Sequence, residues 1–305
     1  MKKIIVIIVT FNGKQWYDRC FSSLQNSELP LQIVLIDNAS SDNTVEYIKR
    51  HFPKIYVIKS DKNLGFGQAN NIGMRYALQN GADYVFLLNQ DAWIEPNTIK
   101  DLIEVHKKNP EYGILSPIHL NADKTQIEKG LMHYIADYKI TSTDLINDLY
   151  FRKEKEIYET NYINAAAWLL PTRTLNIIGG FDPIFFHYGE DDNYMQRVKY
   201  HKMKIGICPG VTIVHDTDIR IKSEEKAQQN NKKTLLVELT NINNNTSVYK
   251  SMFLYIKRAI KHILKMKFCI SVEMIKTAFY IFTIRKNIIK SRTQNKENDV
   301  SWLNI

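Results

Sequence analysis

The sequence predicts an α/β protein: a mostly parallel central sheet flanked by helices, followed by a basic amphipathic helical extension at the C-terminal end. Three observations lead there. Short apolar runs alternate with segments of helical spacing in units of about 30 residues, as βαβ units do. Polar clusters follow directly on three of those runs. The charge is also unevenly placed. The 305 residues carry +9 overall, yet residues 222–305 hold 16 Lys+Arg against 6 Asp+Glu, a net of +10, which leaves residues 1–221 at −1.

In chain order, Ile4 to Thr10 reads as a strand buried on both faces. Tyr17 to Gln25 has helical spacing. Gln32 to Ile36 is a second strand, Thr44 to His51 a short helix, and Ile55 to Lys59 a third strand. Phe66 to Asn80 is helical, Tyr84 to Leu88 a fourth strand, and Glu95 to Asn109 helical again. A strand is expected near Gly113 to Ile118. The polar stretch from Asp144 to Glu159 reads as an insertion over the site. Ile163 to Pro171 is apolar, Gly179-Gly180-Phe181-Asp182 is a turn, Tyr188 to His201 is helical, and Lys204 to Val214 contains the last strand. The expected division is a catalytic domain over residues 1–221 and a linker with basic helices over 222–305, Asn241 to Asn245 marking a joint.

The compartment follows from cysteine usage and the N-terminus. Cys20, Cys208 and Cys269 have neither metal-ligand nor redox spacing, and an odd count argues against a disulfide framework, so a reducing cytosol is expected. The apolar run after Met1-Lys2-Lys3 is short and is followed by Asn12-Gly13 rather than a cleavage site, which fits a strand better than a signal peptide.

In open α/β sheets ligands bind beyond the carboxyl ends of strands, so the polar clusters share one crevice. Thr10, Phe11 and Asn12 end the first strand. Asp37, with Asn38 and Ser40 behind it, ends the second, where a carboxylate can accept hydrogen bonds from a base imide or a ribose hydroxyl. Asn63, Gly65, Phe66, Gln68, Asn70 and Asn71 form a glycine-containing loop running into a helix, where free N–H groups suit an anion. Asn89, Gln90 and Asp91 end the fourth strand, and Asp91 is placed to hold a cation that bridges phosphates. His215 ends the last strand, where a neutral imidazole can join as a metal ligand. Glu190, Asp191 and Asp192 follow an aromatic stretch containing His187 and Tyr188. One of these acids, with a raised pKa, can deprotonate an acceptor hydroxyl. Trp168 can stack on a sugar or belong to the core. Each cluster alone also fits a turn or a helix cap; their order at successive strand ends favours a ligand site.

From Lys250 to Arg292 there are 11 Lys+Arg and a single acid, Glu273. Phe253, Ile256, Ile260, Ile263 and Leu264 recur at helical spacing, with Lys257, Lys261 and Lys265 on another face. No uncharged run of 18 residues is present, so a membrane span is not expected. The pattern fits an amphipathic helix on an anionic membrane surface, or helices packed on the main domain with a solvated basic face. No nucleic-acid-binding motif accompanies the charge, and nucleic acid is not an expected partner.

Taken together, these segments resemble the inverting glycosyltransferase family 2, with its GT-A (Rossmann-like) fold, and within it bacterial rhamnosyltransferase-like members. The resemblance spans Lys3 to Asp216, about 70% of the chain. Val34 to Asp42 matches the nucleotide-binding Asp segment, and Asn63 to Gly73 an Asn-x-Gly-Phe signature. Leu87 to Asp91 takes the place of the Asp-x-Asp metal motif, and Phe185 to Asp191 resembles the segment carrying the catalytic base. The resemblance implies a nucleotide-sugar donor (dTDP-rhamnose or a UDP-hexose) and a metal, Mg²⁺ or Mn²⁺, on Asp91 and His215. It further implies a glycan or lipid-linked acceptor and Asp191 as base. Two positions depart from the pattern. Asn89 replaces the first Asp of the metal motif, and Asn193 stands where a further Asp is common, which leaves the choice between Asp191 and Asp192 open. The expected location is the cytoplasm, peripheral on the inner face of the cytoplasmic membrane. Rival readings are a sugar-1-phosphate nucleotidyltransferase, disfavoured by the lack of a Gly-rich basic loop after the first strand, and a silent membrane-associated nucleotide-binding scaffold.

Overall fold

The first strand explains the layout. Ile5 and Ile7 point into one apolar cluster and Ile4, Val6 and Ile8 into another, so the sheet they sit in is covered on both faces. The computed structural model describes residues 2–137, 141, 145–217, 225–299 and 301–303, with side chains from 232 onward in the helix that begins at 225. The expected boundary at 221/222 and Asp144 lie outside the described residues.

The elements run β1 (Ile4–Thr10), α1 (Tyr17–Gln25), β2 (Gln32–Asp37), α2 (Thr44–His51), β3 (Tyr56–Lys59), α3 (Phe66–Gln79), β4 (Tyr84–Asn89), β5 (Ala92–Ile94), α4 (Thr98–Lys108), β6 (Tyr112–Leu120), α5 (Lys129–Ala136), α6 (Leu145–Tyr150), β7 (Tyr158–Glu159), β8 (Ala167–Pro171), α7 (Thr172–Ile178), α8 (Glu190–Tyr200), β9 (Lys204–His215), α9 (Glu225–Thr240), α10 (Val248–Ile263) and α11 (Phe268–Gln294). The sheet order is β3-β2-β1-β4-β8-β6-β9-β5, with β7 on β9. β3, β2, β1 and β4 pair in parallel. β8 runs antiparallel between β4 and β6, and β6 pairs in parallel with β9. α1, α2 and α4 cover one face, and α3, α5, α7 and α8 the other.

Two elements differ from the sequence reading. Residues 92–94 form β5, antiparallel to β9, and the following helix starts only at Thr98. Three residues have no period to read, and their partner lies more than a hundred residues away. The polar stretch after Asp144 contains α6 and ends in β7, which pairs with β9.

The C-terminal region packs on the sheet domain at one end and leaves apolar side chains bare at the other. α9 and the far end of α11 pack on the sheet domain through a third apolar cluster of Phe185, Leu235, Leu236, Leu239, Val248, Ile281 and Ile288. The tail beyond α11 returns to the sheet domain: Gly180 N–H donates to Ser301 O at 2.8 Å, and Leu303 is fully buried in the cluster containing Ile7 and Trp168. Such a leucine contributes roughly 1.5–3 kcal/mol of burial. The α10–α11 turn, in contrast, bares Leu264 (81% exposed), Met266 (79%) and Phe268 (58%). Among the described residues, no helix is long and apolar enough to cross a membrane.

Candidate active site

Parallel pairing places Thr10 opposite Asp37 and Val9 opposite Asn89, so the three strand ends open into one crevice. Thr10 is fully buried. Its hydroxyl lies 2.6 Å from the Tyr17 hydroxyl and donates to Gln90 Oε1 at 2.7 Å. Gln90 Oε1 also accepts the Phe11 N–H at 3.1 Å, so Thr10 and Gln90 shape the floor while Phe11, 43% exposed, faces outward. Asn12 Oδ1 accepts the Ser41 N–H, the Asn12 N–H reaches Ser40 Oγ, and the Ser40 N–H reaches Asp37 Oδ1 at 3.2 Å. The first two strand ends are thereby tied into one wall.

The glycine-containing loop is laced to that wall. Asn38 Nδ2 donates to Asn63 Oδ1 at 3.0 Å, and Asn38 Oδ1 accepts the Leu64 N–H at 2.8 Å. Gly65 caps α3 with φ +78°, and a Cβ there would stand 1.8 Å from the Phe186 carbonyl oxygen. Only glycine permits both that backbone and that approach. The glycine-containing loop is thus set against the segment that carries the acids. Asn71 and Asn70, both buried, hydrogen-bond to backbone groups. Asn71 is buried and clips α3 to the 180 turn, with Oδ1 accepting the Phe181 N–H at 2.7 Å and Nδ2 donating to Phe181 O at 2.8 Å. Asn70 donates to Phe66 O within its own helix, and Gln68 to Leu64 O.

Asp91 and His215 meet because β5 pairs with β9, Ala92 opposite His215. His215 Nε2 lies 3.4 Å from Asp91 Oδ1, with both side chains buried. Asn89 Nδ2 is 3.5 Å from the same ring nitrogen, and Asn89 Oδ1 is buried without a hydrogen-bond partner. A carboxylate, an imidazole and an amide oxygen with no partner suit a divalent cation. Behind them, His119, Glu128 and His215 bring ligand atoms within 4.8 Å of one another. Glu128 already accepts the N–H groups of Gly130 and Leu131 as the cap of α5. Burial, and then His215, hold His119 well below the ordinary histidine range, so it is a neutral neighbour of His215. Both fit a supporting layer that orients the ligand imidazole.

The acids occupy the first turn of α8, entered through left-handed Gly189. Asp191 Oδ1 accepts the Asp192 N–H at 2.9 Å, and Asp191 Oδ2 accepts the Tyr162 hydroxyl at 2.8 Å. Tyr134 lies edge-on to Tyr162, with ring centroids 4.6 Å apart. Burial, then the Asp191 charge, push the Tyr162 hydroxyl far above the usual phenol range, which keeps it a donor. Glu190 is buried, and Oε2 has no hydrogen-bond partner; burial first, and Asp191 second, raise its pKa to about 8. Phe186 and Tyr188 stand exposed beside this turn, with the His187 and Tyr188 rings 3.9 Å apart. Trp168 is not among them. It is fully buried, stacked 6.1 Å from Phe181, because it points from β8 into the core.

Tyr134, Tyr162, His119 and Glu128 escaped the sequence reading. A lone tyrosine, histidine or glutamate carries no periodic signal; His119 lies on β6, Glu128 and Tyr134 at α5 and Tyr162 between β7 and β8, and only the fold brings them together.

A crevice at parallel strand ends, a carboxylate–imidazole pair and an acidic helix turn are the features of a nucleotide-sugar glycosyltransferase with the GT-A fold. The chain belongs to glycosyl transferase family 2, whose family model matches residues 5–169. It is 24% identical over 215 residues to the low-salt glycan biosynthesis hexosyltransferase Agl10 of Haloferax volcanii, covering 70% of this chain and 67% of the relative. It is also 24% identical over 230 residues to the N-acetylglucosaminyl-diphospho-decaprenol L-rhamnosyltransferase of Mycobacterium tuberculosis, covering 69% and 75%. Among solved structures it resembles S. aureus TarS residues 1–349 in complex with UDP. That likeness has a TM-score of 0.54 at 14% identity and covers 96% of this chain and 90% of the other.

Proposed function

We propose that this enzyme transfers a hexosyl group, from dTDP-rhamnose or a UDP-hexose, to a hydroxyl of a glycan or lipid-linked acceptor with inversion. The observation that carries the reading is Asp191, a carboxylate held in place by Tyr162 at the mouth of the donor loop. Asp191 takes the acceptor proton as that oxygen forms its bond to the anomeric carbon. The bond from that carbon to the diphosphate oxygen breaks on the opposite face, and the nucleotide diphosphate leaves with the bonding pair. Asp37 and the Phe11 segment hold the base, and the 63–66 loop holds the sugar phosphate. His187 and Tyr188 are placed to meet the acceptor.

Asp91 and His215, with Asn89 beside them, would hold Mg²⁺ or Mn²⁺, which offsets the charge developing on the leaving diphosphate. The acceptor is reached at a membrane: the apolar tip and the basic helices of 248–294 dock on an anionic inner leaflet, which places a lipid-linked substrate beside the site. Retention of the acidic turn and the Asp91–His215 pair argues against a silent scaffold.

The test is a donor screen. The enzyme is incubated with a panel of nucleotide sugars and a lipid-linked acceptor, and release of nucleotide diphosphate is followed. Asp191→Asn is expected to abolish release while nucleotide binding by calorimetry persists. Release from no donor, or undiminished turnover by Asp191→Asn, overturns the reading.

A further inference from the structure

The third acid of the turn has a partner from α9, in the region read from the sequence as a linker and basic helices. Lys233 Nζ, on α9, lies 3.1 Å from Asp192 Oδ2, and the two side chains are only 28% and 25% exposed. We propose that Lys233 is a positioning residue of the catalytic centre: by pairing with Asp192 it leaves Asp191 as the anionic carboxylate that takes the acceptor proton. The inference rests on Asp191 being the base.

Three consecutive acids in one largely buried turn, Glu190 buried and Asp191 and Asp192 half-buried, cannot all carry charge without compensation. Their surroundings divide the burden. Glu190, buried without a partner for Oε2, is held neutral by desolvation and by Asp191. Asp192 is raised by burial and by Asp191, and Lys233 opposes both. Burial lowers the basicity of Lys233, but Asp192 and then Asp191 outweigh it and hold the ammonium charged. From the remaining sides, Tyr162 and Tyr134 face the cluster as neutral phenols, both raised chiefly by burial. Among the described residues, Lys233 is thus the cation paired with these acids, and its contact is with Asp192. That removes Asp192 from competition as base.

Helix α9 is held where this requires. Leu235, Leu236 and Leu239 pack around Phe185, which precedes the acidic turn. Asn193 Nδ2 reaches Thr240 Oγ1 at 3.4 Å, so the residue that replaces the family's aspartate joins α8 to α9. Arg292 of α11 donates to the carbonyls of Leu239, Asn241 and Asn244, which fixes the end of α9.

The experiment uses the full chain and compares Lys233→Met, Lys233→Arg, Lys233→Met/Asp192→Asn and Asp191→Asn, with thermal unfolding as a check of fold. For Lys233→Met the acid limb of the kcat/KM profile is expected to move about one pH unit upward, so that kcat is about tenfold lower on that limb and little changed well above it, with KM for donor and acceptor changed less than twofold. Lys233→Arg restores the limb because it keeps the cation. The double variant restores it because it removes the charge Lys233 answers. An unmoved limb in folded Lys233→Met, a loss confined to KM, or a double variant that stays shifted each overturns the inference. Should Lys233→Met not fold, an Arg variant whose limb is displaced overturns it equally. Near-normal turnover by Asp191→Asn would instead mark failure of the base assignment; an inactive Asp191→Asn beside an unmoved limb isolates the failure to Lys233.

Discussion

The hydroxyl of Tyr162 donates a 2.8 Å hydrogen bond to Oδ2 of Asp191, from a segment 29 residues earlier in the chain. With Oδ1 engaged by the Asp192 N–H, the carboxylate is fixed in rotation. Tyr162→Phe is expected to lower kcat by about tenfold, within the range that acid–base positioning supplies. Nucleotide affinity stays unchanged by calorimetry. A variant with full kcat would show the bond to be incidental.

The Asp91–His215 pair sets the expectation for metal removal. Excess EDTA is expected to depress both turnover and nucleotide affinity, with Mg²⁺ or Mn²⁺ restoring them. Asp91→Asn should reproduce the loss without responding to added metal. Undiminished turnover in EDTA would refute a metal role.

Glu190 makes stability depend on pH with a definite sign. Its folded pKa, about 8, lies above the ordinary 4.5, so the folded state binds the extra proton between those values. The contribution is fully present below about pH 4.5 and is lost as pH rises through about 8. Glu190→Gln keeps the neutral form at every pH. Its Tm should therefore exceed the wild type's by more at pH 8.5 than at pH 5; an equal difference at both would remove the linkage.

The bare tip between α10 and α11 is a membrane expectation that can be read directly. Leu264→Asp with Met266→Asp changes two residues about 80% exposed, so the fold should be unaffected. Co-sedimentation with anionic liposomes is expected to fall severalfold, and salt should weaken the wild type's binding because it screens the basic helices. Binding indifferent to both changes would point to another occupant of the tip.

Much of this was legible beforehand. β1, β2 and β4 are runs of Ile, Val and Leu buried on both faces, and the residues that end them are polar because they leave the core. The helical stripe of Phe253, Ile256, Ile260, Ile263 and Leu264 was equally plain; the structure adds that it stays uncovered. Trp168 was ambiguous since an aromatic next to Ala166-Ala167 reads alike in a pocket or a core, and only the direction it takes from β8 decides.

The sequence by itself determined the α/β class, the crevice at successive strand ends, Asp37, Asp91 and the acidic turn, because local periodicity and strand-end polarity are properties of neighbouring residues. Tertiary structure alone decided that β5 brings Asp91 to His215, that Tyr162 holds Asp191, that Asn71 serves the turn at Phe181, and that Lys233 reaches Asp192. Each of these joins residues from separate segments through sheet register or helix docking, and such pairings leave no periodic trace in the chain.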